Sequence, residues 1–157
     1  MKIAPALGSS VELMSDLSFQ ETLGHVCQIL YSCTREEYPL AALKYWTAPA
    51  IELNQIALFK SLQGMPIGYM TWAFLSDEVS TRMEMDAINV LHISEWNEGL
   101  NLWILDFVAP FGHAKDISRY VRGEMFSRAA VVKALKRRED DSLIRVRTFR
   151  RRHAKPA

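Results

Sequence analysis

The longest apolar run of the chain extends from Leu102 to Ala109 and is interrupted only by Asp106. Such a run, ended by Pro110 and Gly112, predicts a strand that is buried on both faces. A carboxylate in a buried strand is costly unless an ion pair or hydrogen bonds stabilise it. Asp106 is therefore either a structural ion-pair partner or a catalytic carboxylate that orients a histidine.

Apolar residues at helical spacing predict a first helix that ends near Ser32 and is capped by Ser15 or Asp16, after a loose leader up to about Met14. A second helical region, 36–53, is expected to be interrupted at its two prolines. Residues 76–99 are polar and predicted to be helical, and 113–126 read as an amphipathic helix.

Period-two and aromatic-rich patterns predict the remaining strands. Residues 55–60 and 67–75 flank a turn at 63–66 and form the clearest hairpin of the chain. Residues 143–149 alternate, which favours a strand after a turn at 139–142, whereas 127–135 are ambiguous. A short basic tail is expected from Arg150 onward.

Composition indicates an ordinary globular protein of one domain, 1–157, with 49% hydrophobic and 24% charged residues. Ten of its 19 lysines and arginines lie between Lys133 and Lys155, so this end is basic. No apolar run approaches the ~20 residues that span a bilayer, which argues against stable membrane insertion. Cys27 and Cys33 are expected to be free thiols, and with no secretory signal this predicts a cytoplasmic protein.

A glycine and a histidine interrupt the first predicted helix. Gly24 costs a helix about 1 kcal/mol relative to alanine, which makes sense if another backbone or a substrate must come close. His25 follows directly. A lone histidine on such a helix is either a satisfied core or surface residue or a catalytic base.

Two separated segments resemble a known family, and the intervening motifs occur in the family's order. Leu23-Gly24-His25-Val26 and the strand 103–112, with its Trp-x-x-Asp-x-x-Ala-Pro-Phe pattern, are similar to the toxin-activating lysine acyltransferases of RTX toxin operons. Between and after them, 49–51, 54–55, 66–69, 71–76 and 120–122 also match the family pattern. The resemblance covers roughly 23–126, with a longer gap between histidine and aspartate and a shorter C-terminus than in relatives.

The resemblance implies an α/β (α+β) fold like that of the GCN5-related acetyltransferases, a mixed sheet flanked by helices. It implies transfer of a fatty acyl group from acyl carrier protein to lysine ε-amines of a protoxin, and it suggests a homodimer. His25 and Asp106 would be the catalytic pair. Five further residues would contact the substrate, namely Gly24, Trp72, Ser76, Phe111 and Gly112.

The residues supply the chemistry that this reaction needs. A free lysine amine has a pKa near ~10.4, so a base poised near neutrality must deprotonate it, and imidazole suits this task. A carboxylate against the other ring nitrogen fixes the tautomer, and backbone N–H groups near Asp106 can hold the oxyanion. Alternatively, His25 itself takes the acyl group before passing it on. No cluster with metal-ligand spacing is evident.

The turn after the central strand bears on the identity of the acyl donor. Residues 111–117 contain one glycine and place Asp116 where the pyrophosphate of coenzyme A would lie, so the usual coenzyme A loop is missing. The expected donor is therefore acyl-phosphopantetheine on acyl carrier protein, with no cofactor bound by the chain itself. Its acidic surface would be received by basic residues: Arg119, Arg122, Arg128, Lys136, Arg137 and Arg138.

A different class of function rests on the same basic end of the chain. Clustered lysines and arginines give non-specific affinity for phosphates, so a nucleic-acid-binding module or a catalytically inactive adaptor is the alternative. The near-neutral net charge of +1 and the lack of a nucleic-acid-binding motif favour no nucleic acid. The presence of both His25 and Asp106 argues against an inactive adaptor.

Overall fold

The computed structural model describes residues 10–33, 39–86, 90–136 and 145–151. The described chain divides into two compact units. The first takes the chain up to Thr71 together with Phe107–Ser127, and the second takes Trp72–Asp106 together with the chain from Arg128 onward.

Six strands form one mixed sheet, in the order β1-β2-β3-β4-β5-β6. The β1–β2, β2–β3 and β5–β6 pairs are antiparallel, whereas β4 and β5 run parallel. This arrangement, with its accompanying helices, confirms the predicted α/β class and is consistent with a GCN5-related acetyltransferase-like fold. The strands are β1 Val11–Leu13, β2 Ile56–Ser61, β3 Pro66–Leu75, β4 Asn101–Val108, β5 Val131–Lys136 and β6 Arg145–Arg150.

The helices are mostly short, and two of them continue into π-helical turns. The elements are α1 Phe19–Tyr31, α2 Leu40–Ala42 continuing through the π-helical turn Leu43–Thr47 into α3 Ala48–Glu52, α4 Asp77–Met85, the 3-10 turn Ile93–Trp96, and α5 Ala114–Tyr120 continuing into the π-helical turn Val121–Met125.

Helix α1 is fixed by its cap and by its apolar face. Ser18 is the N-cap, and it forms a capping box with Glu21, whose carboxylate accepts hydrogen bonds from the Ser18 N–H and hydroxyl at 2.8 and 2.6 Å. Val26 and Ile29 are buried against side chains of the sheet within the first unit. That core cluster comprises Val26, Ile29, Leu58, Tyr69 and Val108.

The strand and hairpin predictions around β2, β3 and β4 are confirmed, whereas several boundaries differ. The α1 cap is Ser18 and not Ser15 or Asp16, because Asp16 has a left-handed backbone (φ 59°) before the helix begins. The expected loose leader contains β1, which pairs with β2. Pro49 does not end the second helical region, which runs from Leu40 to Glu52. The helix changes to a π-helical turn directly before the proline, where the Ala48 N–H donates to the Leu43 carbonyl.

Two further predictions needed correction. In the described parts of the polar stretch 76–99, which are 76–86 and 90–99, helix is limited to α4 and the 3-10 turn Ile93–Trp96. The expected tail begins later than Arg150, because β6 includes Arg150 and the Arg151 N–H donates to the Ala130 carbonyl at 2.9 Å. The ambiguous stretch 127–135 contributes β5. The predicted turn at 139–142 lies outside the described residues.

A polar cluster fixes α4 to the sheet in the second unit. The hydroxyl of Ser80, which is 2% exposed, accepts hydrogen bonds from the Trp103 indole N–H at 3.0 Å and the Lys133 ammonium at 2.9 Å. The same ammonium pairs with Glu84 and lies 5.5 Å from the centre of the Trp103 ring. Trp103 and Lys133 are also register partners across the parallel β4–β5 pair, so this cluster fixes that pairing.

We expect Ser80→Ala to lower the free energy of unfolding by about 1–3 kcal/mol, because the buried indole N–H of Trp103 loses its acceptor. Urea unfolding followed by tryptophan fluorescence measures the change. Ser94→Ala is the matched control, since Ser94 is exposed. An equal, small effect of both substitutions would contradict the structural role of Ser80.

Candidate functional site

His25 lies in the middle of α1 and is half-buried. Hydrogen bonds from Ser18 lower the pKa of Glu21, four residues before the histidine, and the charge of His25 adds a smaller lowering effect. The carboxylate of Glu21 is thus committed to the capping box.

Asp106 lies on β4 and is 8% exposed, so it is a buried carboxylate as predicted. Its strand neighbours Leu102, Trp103, Ile104 and Leu105 are all buried as well. Alternation along the strand places Asp106 on the same face as Ile104 and on the opposite face from Trp103. His25 belongs to the first unit and Asp106 to the second, and their contact stays a prediction.

The parallel pairing beside Asp106 is short. Its register pairs are Trp103 with Lys133 and Ile104 with Ala134, although β5 continues to Lys136 along its antiparallel partner β6. The β4–β5 ladder therefore ends two residues before Asp106. Backbone donors for an oxyanion near Asp106 stay a prediction.

Close packing against the described residues does not explain the glycine at position 24. A Cβ atom built on Gly24 meets no heavy atom within 4 Å, and the residue is exposed on α1. Among the residues that the structure describes, no other backbone comes close enough to require a glycine. Of the two explanations offered by the sequence, the described residues do not supply the backbone, and a substrate beside Gly24 stays a prediction.

The other predicted substrate residues have varied positions. Ser76 is the N-cap of α4, and its hydroxyl accepts a hydrogen bond from the Val79 N–H at 3.3 Å, which gives it a structural role. Trp72 is half-buried on β3. Phe111 is 46% exposed after β4, and Gly112 beside it has a φ of 84°, a conformation that favours glycine.

The predicted docking residues are divided between the two units. Arg119 and Arg122 belong to the first unit, where Arg119 pairs with Asp116 at 3.0 Å and Arg122 donates to the Ser118 carbonyl. Arg128 and Lys136 are exposed in the second unit. Arg137 and Arg138 lie outside the described residues.

The remaining candidates add little. Both cysteines are free thiols, as expected, and Cys27 is exposed on α1. Among residues 10–33, 39–86, 90–136 and 145–151, no group of three histidine, cysteine or acidic side chains is placed to bind a metal. No helix in this described part of the chain is long and apolar enough to cross a membrane.

The amino-acid sequence matches a known protein family. The profile of the RTX toxin acyltransferase family matches residues 15–150 and so includes both His25 and Asp106. The chain belongs to the RTX toxin acyltransferase family. This membership confirms the resemblance seen in the sequence and supports a protein acyltransferase activity.

Individual relatives cover most of the chain. An uncharacterized protein of Synechocystis is 35% identical over 115 residues, which is 72% of this chain and 77% of the relative. The lysine-acyltransferase RtxC of Vibrio cholerae is 28% identical, covering 68% of this chain and 70% of its own. The protein-lysine myristoyltransferase RtxC of Kingella kingae is 33% identical, over 59% and 53% of the two chains.

Sequence reasoning overlooked two groups of residues. Ser80 and Lys133 form the cluster around Trp103, and no local pattern signals a contact between a polar helix and a distant strand. Arg145 and Arg147 alternate with Val146 and Thr148, and this pattern predicted the strand. Their position opposite β5 depends on the register of the hairpin, which the sequence leaves open.

We expect Gly24→Ala to raise the free energy of unfolding by about 0.5–1 kcal/mol, because alanine favours the helix and its methyl group enters open space. Thermal unfolding with and without the substitution measures the change, and Gly123→Ala, at another exposed glycine with open space, is a comparison. A stabilised variant that loses acyl transfer would indicate a substrate beside Gly24. A destabilised variant would contradict the open space.

Proposed function

We propose that this protein is a protein-lysine fatty acyltransferase that takes its acyl group from acyl carrier protein and modifies internal lysines of a protoxin. The observation that carries the proposal is the family match over residues 15–150, a span that contains the histidine and the aspartate of the predicted pair. The acyl-lysine activity in the names of the Vibrio and Kingella relatives supports the same reaction.

In the proposed reaction, an imidazole nitrogen of His25 removes a proton from the ε-ammonium of the target lysine. The free amine attacks the thioester carbonyl, a tetrahedral intermediate forms, and the C–S bond breaks. The amine nitrogen gives up a second proton, which the departing phosphopantetheine thiolate takes up, and the protonated His25 releases the first proton to solvent. The products are therefore a neutral amide, a thiol and one proton. Asp106 orients the imidazole and stabilises its positive charge, as buried carboxylates do in related catalytic pairs.

A covalent route uses the same residues. The neutral imidazole of His25 attacks the thioester, which gives an acyl-imidazole and releases the thiol, and the lysine amine then takes the acyl group and regenerates His25. The routes are distinguished by incubating the chain with acyl carrier protein whose attached acyl group is radiolabelled. The lysine substrate is left out and the reaction is quenched rapidly. Label retained on the chain and lost in His25→Ala supports the covalent route.

We expect His25→Ala to lower kcat by about 10²–10⁴-fold, the usual contribution of a general base. Asp106→Asn keeps the shape of the side chain but cannot stabilise the imidazolium, so we expect it to fold and to lose most of the rate. Acyl transfer to a lysine-containing protoxin fragment is the readout, and circular dichroism checks the fold of each variant.

His92→Ser is the matched control, because His92 is exposed and caps the 3-10 turn, a role that serine also fills. It should retain near-normal activity. Full activity in a folded His25→Ala variant would remove the proposed mechanism, and an Asp106→Asn variant that folds and acts normally would leave His25 without its proposed partner.

The donor proposal predicts a preference that depends on salt. Acyl carrier protein is acidic, so its productive encounter with basic residues should weaken as the ionic strength rises from about 0.01 to 0.15 M, where the Debye length falls from about 30 to 8 Å. The rate of acyl transfer is measured at both salt concentrations with acyl-loaded acyl carrier protein and with acyl-coenzyme A as donors. Equal use of the two donors, with no dependence on salt, would contradict this donor.

The partner state is a further proposal. Following the family resemblance, we propose a homodimer, and sedimentation equilibrium of the purified chain tests it. A monomer at micromolar concentration would contradict it.

A further inference from the structure

The charge of the β5–β6 hairpin differs from that of the rest of the chain. Between Val131 and Arg151 there are eight basic and three acidic residues, a net charge of +5. Residues 1–130 contain nine basic and fifteen acidic residues, a net charge of −6. An acidic partner is thus repelled by most of the chain and attracted to this hairpin.

The hairpin register gathers cations on one face. Lys136 pairs directly with Arg145, and Ala134 pairs with Arg147, so these three cations share one face of the two strands. All three are exposed, and among the described residues none of them forms an ion pair. Like charges directly opposite each other on two strands repel and destabilise the sheet, and an anionic partner would reduce this repulsion.

This face is also the face of Asp106. Ile104 is the register partner of Ala134 and shares its face with Asp106, two residues further along β4. Lys136 lies two residues beyond Ala134, on the part of β5 that continues after the β4–β5 ladder ends. Lys136 therefore borders the end of the ladder beside the buried carboxylate, and Arg145 and Arg147 lie one strand further out, all within the second unit.

We propose that Lys136, Arg145 and Arg147, named here the basic face, dock the acidic surface of the acyl carrier protein that delivers the acyl group. This inference rests on the proposed function and assigns its donor to one surface. It keeps only Lys136 of the docking residues that the sequence suggested. Arg119 already forms an ion pair with Asp116, which partly neutralises its charge toward a partner.

A protein fits this face better than other polyanions. Arginine binds carboxylates through two parallel hydrogen bonds, and arginine and aromatic residues are enriched in protein interfaces. Phe149 is 50% exposed on the same face, because it pairs with Val132, and it provides an apolar contact beside the arginines. A nucleic acid or an anionic membrane spreads its charge over a wide surface and would also meet residues 1–130, whose net charge is −6.

The test uses two charge reversals on one strand. Arg147→Glu changes the basic face, whereas Arg150→Glu makes the same change on the opposite face of β6, where Arg150 pairs with Val131. The probe is purified holo acyl carrier protein with a fluorescent label, and anisotropy gives its Kd for each full-length variant at low and physiological salt. Thermal unfolding confirms that both variants fold.

We expect Arg147→Glu to raise the Kd for holo acyl carrier protein at least tenfold, and to raise the KM for acyl-loaded acyl carrier protein by the same factor. It should also reduce the salt dependence of binding. Arg150→Glu should change both values less than threefold. Equal effects of the two reversals, or an unchanged Kd in folded Arg147→Glu, would overturn the docking surface. Tighter, Arg147-dependent binding of a DNA duplex or of phosphatidylglycerol vesicles at the same salt would also overturn it.

Binding and turnover separate this inference from the proposed function. Folded His25→Ala should bind holo acyl carrier protein as the unmodified chain does while losing transfer. If transfer from acyl-carrier protein occurs and Arg147→Glu binds normally, the docking surface is wrong and the function stands. If binding depends on Arg147 but no donor supports transfer, the proposed chemistry is wrong and the surface stands.

Discussion

One serine hydroxyl determines much of the second unit. Ser80 accepts hydrogen bonds from both Trp103 and Lys133, which are register partners on β4 and β5. A slip of one residue between these strands would turn each side chain to the other face and leave the buried indole without its acceptor. The hydroxyl on α4 therefore favours this one register of the parallel pairing.

The two faces of β4 carry different groups of side chains. Trp103 faces Ser80 and Lys133, and this side of the strand provides stability. Asp106 and Ile104 face the other way, the side on which the hairpin carries Lys136, Arg145 and Arg147. Because a strand alternates its side chains, a single apolar run can support a polar structural cluster and a buried carboxylate without bringing the two into competition.

Elements with strong local patterns were predictable, and those that depend on distant partners were not. The continuous apolar run of β4 and the turn between β2 and β3 identified these strands, because burial and turn chemistry are local signals. β1 is three residues long and exists through its pairing with β2, about fifty residues later. Its polar and apolar residues resemble a leader until β2 is beside them.

The sequence by itself determined the fold class, the family and the two residues expected to carry the chemistry, because family motifs and apolar periods are properties of neighbouring residues. Only the tertiary structure decided that Gly24 faces open space and that Lys136 lies opposite Arg145. Both facts concern residues brought together, or kept apart, by folding. Spacing along the chain restricts such contacts but does not specify them, since strand register and the packing of α1 are set by the whole sheet and core.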